Sequence, residues 1–249
     1  IASISEKGEA ANYFAVGDRK DVPITYADGT TGTMPVAIAG FDHDALADGT
    51  GKAGISIVCM KLPNLQVAMA SKESYVKSYG YSDTDDKLKL KPYLNNTVMA
   101  ILPTALQEVI KPVIKITEAN SEGSSFLETA ETLWPLSATE LGHEGTFTNT
   151  AGYTYRTPVA GVKYDLFETK NYFAGFAGFS DSSLLVSLVG SNKNYVPYWT
   201  RSLFTNGSKS AYIYVSQNGD FTGGTIGFST ISGAQTKTVT KYIRFGFCV

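Results

Sequence analysis

The chain has 249 residues, enough to bury a substantial core as one strand-dominated domain, and its 21 basic and 23 acidic side chains leave a net charge of −2. With no block of one sign, it lacks the electrostatic footprint of a nucleic-acid or anionic-membrane binder, so neither partner is expected. Charged residues make up only 18%, whereas Gly (24), Tyr (15) and Phe (13) are abundant, a balance that favours strands and turns over long solvated helices.

The start, "IASISEKGEA", carries no initiator Met, no basic segment and no apolar run, and reads as an end produced by processing or excision. No stretch approaches the run of about 18 apolar residues that membrane insertion needs. In "DVPITYADGTTGTMPVAIAGF" two period-two runs meet at Asp28-Gly29, which predicts a hairpin. "ISIVCM" and "LQVAMA" are expected to extend the same sheet. Between the hairpin and "ISIVCM", "FDHDALADG" gathers Asp42, His43, Asp44 and Asp48, but the spacing fits no calcium loop, because Leu46 stands where a ligand is needed and the closing Glu is missing. A polar loop is expected there. "GTGKAG" (49–54) matches the dinucleotide fingerprint by letter, yet a strand follows where a helix must open, so it reads as a glycine-rich turn.

Cys59 and Cys248 lie in apolar runs and are expected as buried thiols. The polar stretch from Ser71 to Lys89, around "SDTDDK", reads as a loop. Helical periodicity follows in "NNTVMAILPTALQEVIKPV", where Leu102, Leu106, Val109 and Ile110 share a face. Pro103 splits this into two short helices, standing in the first turn of the second, and Pro112 ends it. "PVIKIT" returns to a strand, and "SATE" predicts a further short helix with Ser137 and Glu140 as a capping box. From Gly142 onward, strands alternate with Gly- and Asn-marked turns.

Catalytic signatures are weak. There is no G-x-S-x-G, both cysteines have apolar flanks, and Glu140 reads as a helix cap more readily than as half of a carboxylate pair with Glu144. No catalytic residue, metal or cofactor is expected, and the protein is read as a non-enzyme. The stretch "NYVPYWTRSLFTNGSKSAYIYVSQNGDF" (194–221) is different. It combines rigid rings with amides and hydroxyls, the palette of adaptable binding surfaces. Tyr195, Tyr198, Asn206, Tyr212, Tyr214 and Asn218 are the candidate ligand contacts. In "SAYIYVSQ", alternation sets Tyr212 and Tyr214 opposite Ala211, Ile213 and Val215, so one face can pack inward. Trp199 and Arg201 read instead as a structural anchor.

Taken in order, "VGD", "IAGFDHDA", "YLNNTVMAILPTALQEVIKPVIKIT", "TLWPLSATELGHEG", "YWTRS" and "YIRFGFCV" resemble a family of largely uncharacterised bacterial and phage proteins related to the C-type-lectin-like fold. The likeness runs from about residue 13 to the end. Tyr198 stands where that family often has a first tryptophan, and Arg244 carries over from a Gly-Val-Arg-Pro ending although the proline does not. The resemblance implies one α+β, C-type-lectin-like domain over residues 1–249, strand-rich, with two or three short helices, long loops and its termini paired in one sheet. An inserted segment is expected at about 151–183, and Arg244 joins Trp199 and Arg201 as a structural anchor. The motifs of calcium-dependent sugar lectins are missing. The resemblance implies a receptor-binding module on a phage virion (tail or capsid fibre) or bacterial surface, contacting a cell-surface glycan or protein receptor. The alternative is a structural virion component that packs on other virion proteins or forms a homo-oligomer.

Overall fold

The computed structural model describes residues 1–62, 65–68, 90–118, 126–142, 145–148, 154–157, 161–167, 187–189, 194–196, 198–206, 209–215, 228–232 and 240–249. Its strands, in chain order, are β1 (Arg19–Thr25), β2 (Thr31–Phe41), β3 (Ile55–Cys59), β4 (Lys61–Leu62), β5 (Gln66–Ala68), β6 (Val113–Glu118), β7 (Phe126–Glu131), β8 (Trp134–Pro135), β9 (Gly145–Thr148) and β10 (Thr154–Thr157). They continue as β11 (Ser187–Val189), β12 (Asn194–Val196), β13 (Tyr198–Asn206), β14 (Lys209–Val215), β15 (Phe228–Ser232), β16 (Thr240–Ile243) and β17 (Phe245–Cys248). With a few short helices, this is a strand-rich α+β architecture.

The first sheet runs β1-β2-β3-β17-β8. Its hairpin forms at Asp28-Gly29, with Gly29 at φ 82 and Thr25 paired to Thr31. Pro23 is tolerated because β1 is the edge strand, where a missing N–H breaks no ladder. Every residue of β3 and of β17 is buried, so the centre of this sheet is covered on both faces. The sheet therefore holds the first strand and the last, but they are not partners: β17 pairs with β3 and β8. Direct pairing of the termini, as the lectin-like resemblance implied, is corrected to that extent. The chain ends still meet, because the Ser5 hydroxyl donates to the Val249 carbonyl and Val249 N–H donates to Ile55 O at 3.1 Å.

A second sheet runs β15-β14-β13-β10-β9, with β16 pairing β13 and β5 pairing β16. "LQVAMA" thus contributes β5 to this sheet and not to the first; Val67 pairs with Lys241. β4, β11 and β12 form a small third sheet, and β6 with β7 a separate hairpin.

The helical segment comprises Leu90–Tyr93, a π-turn at Leu94–Val98, Met99–Ile101 and Thr104–Gln107. Leu102 is extended (φ −77, ψ 150), as a residue before proline tends to be, and Pro103 stands immediately before the last helix, not within it. Leu90, Leu94, Val98, Ile101, Leu102 and Ile110 bury against one core that also takes residues from β2, β3, β16 and β17. "SATE" makes a single turn, closed by Leu141 N–H donating to Ser137 O at 3.1 Å. "GTGKAG" is a turn with Gly49 at φ 76, and β3 follows it. Both cysteines are buried free thiols. Within 151–183, the described residues include β10 and Gly161–Phe167, and Tyr164, Leu166 and Phe167 belong to the core.

Gly246, at the centre of the first sheet, lets the Trp134 indole pack on the backbone: a Cβ there would lie 2.9 Å from the ring. Gly246→Ala is expected to destabilise the protein by about 1–3 kcal/mol, the usual cost of overpacking. Urea unfolding of the variant measures this, and an unchanged midpoint would contradict the packing.

Candidate functional site

The densest polar assembly is buried, and it begins with a lysine in an apolar strand. In β6 the side chains of Val113, Lys115 and Thr117 alternate with those of Ile114 and Ile116. Lys115 is 2% exposed and Ile116 37%, so the polar row is the one that faces inward. The Lys115 ammonium has three protons and three acceptors: it donates to Asp44 Oδ1, to Glu140 Oε1 at 2.9 Å and to the Tyr164 hydroxyl at 2.7 Å. It also sits 4.0 Å above the Trp134 ring centroid, a favourable cation–π position.

Each partner is held in turn. Asp44 Oδ2 accepts from Ser56 Oγ (2.6 Å) and from Tyr164 OH (2.8 Å), while Oδ1 faces His43 Nδ1 (3.2 Å). Glu140 Oε1 accepts from Arg201 Nη2 (2.8 Å), and Oε2 accepts from Arg201 Nη1 and from Ser137 N–H (3.0 Å). Ser137 Oγ reciprocally accepts from Glu140 N–H at 3.0 Å. The expected capping box is therefore present, on a turn in place of a helix, and its carboxylate also binds the arginine bidentately. Gly161 (φ 93) admits this pair, since a Cβ there would lie 3.3 Å from Arg201 Nη2.

A bulge brings Arg201 to that carboxylate. β13 and β14 pair regularly at Trp199↔Tyr214 and again at Leu203↔Tyr212, so four residues of β13 span two of β14. The intervening residues bond elsewhere: Arg201 N–H donates to Leu136 O (3.2 Å), Arg201 Nη1 to Pro135 O (2.9 Å), and Ser202 Oγ accepts from Ala138 N–H (2.9 Å). The motifs "YWTRS" and "LWPLSATE" are thus two halves of one clasp.

Trp199 is buried and donates from Nε1 to Val67 O at 2.8 Å, tying β13 to β5. Arg244, the residue between β16 and β17, is buried and donates to Cys59 O at 3.0 Å, with its guanidinium 5.7 Å from the Tyr198 ring centroid and 5.6 Å from that of Phe167. All three anchor positions therefore face the interior. Tyr198, read from the sequence as a ligand contact, is fully buried, and burial pushes its phenol pKa up; it belongs with the anchors. Tyr195 lies in β12, Asn206 ends β13, and Tyr212 and Tyr214 lie in β14, with only their backbone described; Asn218 lies outside the described residues. His143 and Glu144 lie outside them as well.

Burial works to raise the carboxyls of Asp44 and Glu140. For Asp44 the Lys115 charge and the hydrogen bonds from His43, Lys115 and Ser56 outweigh it, holding the group well below the usual carboxylate range. For Glu140 the Arg201 and Lys115 charges do the same. The two buried anions Asp44 and Glu140 balance the two buried cations Lys115 and Arg201, and every carboxylate oxygen is occupied. Such an arrangement positions strands; it offers no open atom to a substrate. The sequence reading missed Asp44 and Lys115 as partners, although a lysine in phase with Val113 and Thr117 was a visible signal.

Because both carboxyls titrate lower in the folded protein, their stabilisation is present above about pH 4 and is lost as the pH falls through their folded values. Glu140→Gln removes one anion and strands Arg201, and is expected to cost about 3–5 kcal/mol. Chemical denaturation at neutral pH measures this, and a cost below about 1 kcal/mol would contradict the closed network.

No helix among the described residues is long and apolar enough to cross a membrane. Comparison with curated proteins and with solved structures finds no match. Residues 66–249 match the model of a family described as a domain of unknown function, DUF6273, a span that holds Lys115, Glu140, Tyr164, Arg201 and Arg244. The chain belongs to the DUF6273 family.

Proposed function

We propose that this chain is a non-enzymatic binding module of C-type-lectin-like fold, displayed on a phage virion or bacterial surface, which grips a cell-surface glycan or protein receptor through its aromatic and amide-rich C-terminal strands. The observation that carries the reading is the bulge in β13. Its first half is fixed to the core by Trp199 and Arg201, and beyond Leu203 the strand continues as a hairpin with β14. A rigid base with an adaptable polar and aromatic extension is the division of labour that binding folds use.

Within that extension, Tyr212 is paired with Leu203 beyond the bulge and Tyr214 with buried Trp199, so position 212 stands farther from the clasp. Tyr195, Asn206, Tyr214 and Asn218 complete the contact set. A ring stacked on a sugar face or apolar patch supplies most of the affinity, and the amides set orientation.

Tyr212→Ala is expected to weaken binding to bacterial cells or to purified surface polysaccharide roughly tenfold, about 1.4 kcal/mol, with the melting temperature nearly unchanged. Retained binding with a large loss of stability would overturn the reading. An assembly in solution that covers these strands would favour instead a structural virion component.

A further inference from the structure

His43 holds its ring between two oxygen acceptors. Nδ1 is 3.2 Å from Asp44 Oδ1, Nε2 is 3.2 Å from the Lys163 carbonyl oxygen, and the ring packs on Tyr164 with centroids 4.2 Å apart. A neutral imidazole has one N–H and one lone pair. In either tautomer, therefore, one ring nitrogen would point a lone pair at an oxygen, and only the imidazolium satisfies both contacts. We infer that His43 is a proton-dependent latch, which in its charged form fastens the loop after β2 to the Gly161–Phe167 segment and which opens when it loses its proton.

The groups around the ring decide how firmly the proton is held. From its own loop the Asp44 carboxylate favours the charged form, and from β6 the Lys115 ammonium opposes it. From the 161–167 segment come the Lys163 carbonyl, the Tyr164 ring and Asp165. The Asp165 carboxylate and the His43 Cβ each lie 3.6 Å from where a Cβ on Gly40 would stand. Glu140 and Arg201 lie behind Lys115, and Ser56 and Cys248 behind Asp44. Burial works against the imidazolium, but the Asp44 hydrogen bond and charge, with the Lys163 carbonyl, outweigh it and raise His43 above its ordinary value.

On deprotonation the weaker tie is the one to Lys163. Asp44 is fixed by Lys115, Ser56 and Tyr164 whatever the state of the histidine, so the neutral ring keeps its one N–H there. Its bare Nε2 then faces the Lys163 oxygen, and the segment keeps only the Tyr164–Asp44 hydrogen bond as its polar tie to the loop. The sign follows from linkage: a folded pKa above the unfolded one gives stabilisation that is complete below about pH 6.5 and lost as the pH rises through the folded value.

The chain has two histidines, so in His143→Gln the His43 ring gives the sole imidazole signals, and NMR can follow them with pH. The latch predicts a folded-state pKa above about 6.5, and amide exchange at residues 162–165 that rises above that pKa faster than base catalysis alone explains. In His43→Gln the decline of stability above neutral pH should disappear. A His43 that titrates at or below the unperturbed value, or an unchanged decline in His43→Gln, would overturn the inference. If His43→Gln does not fold, the titration in His143→Gln decides alone.

Discussion

Everything in this fold is arranged around an ammonium group that has no access to water. Taking Lys115 out of solvent costs several kcal/mol, and that cost is recovered only if each of its three protons finds an acceptor in good geometry. The acceptors come from three separate parts of the chain: Asp44 from the loop after β2, Glu140 from the turn after β8, and Tyr164 from the segment before Phe167. Glu140 recruits Arg201, and Arg201 fixes the path of β13 by bonding the carbonyls of Leu136 and Pro135 through its own backbone and guanidinium. One buried charge thereby sets the mutual positions of both larger sheets and of the β6–β7 hairpin. A hydrophobic core alone would tolerate sliding; a network with no spare donor or acceptor does not.

The family match begins at residue 66, but the fold does not divide there. β17 pairs with β3, the Ser5 hydroxyl reaches the Val249 carbonyl, and Asp44 completes the coordination of Lys115. Removing the first 65 residues would uncover one edge of β17 and leave a buried lysine short of an anion. The N-terminal strands are therefore as much a part of this structural unit as the matched span, whatever ligand the C-terminal strands take.

Much of this architecture was legible from local rules. The Asp28-Gly29 hairpin, the break before Pro103 and the reciprocal Ser137–Glu140 caps follow from turn chemistry, proline stereochemistry and capping, each of which acts over a few residues. What could not be read was long-range. "LQVAMA" has the same apolar pattern whichever sheet it joins, and only the pairing of Val67 with Lys241 decides it. Tyr198 and Trp199 are neighbours on a strand, so alternation places one of them outward, yet both are buried because that end of β13 is covered on both faces. In β6 the inward row is the one that carries Lys115 and Thr117, and Ile116 is exposed. The partners that make this possible for Lys115, two carboxylates, a hydroxyl and an indole face, all come from elsewhere in the chain, so no local rule announces them.

Asp44 and Lys115 stabilise each other across the boundary of the family match. A double-mutant cycle with Asp44→Asn and Lys115→Met measures their coupling directly, by urea denaturation of the four proteins at neutral pH. Each single change strands a buried charge and should cost about 3–5 kcal/mol, whereas the pair together should cost less than the sum by about 2–3 kcal/mol. Additivity within about 0.5 kcal/mol would mean that the two residues do not depend on one another, and that Lys115 does not tie the loop after β2 to β6.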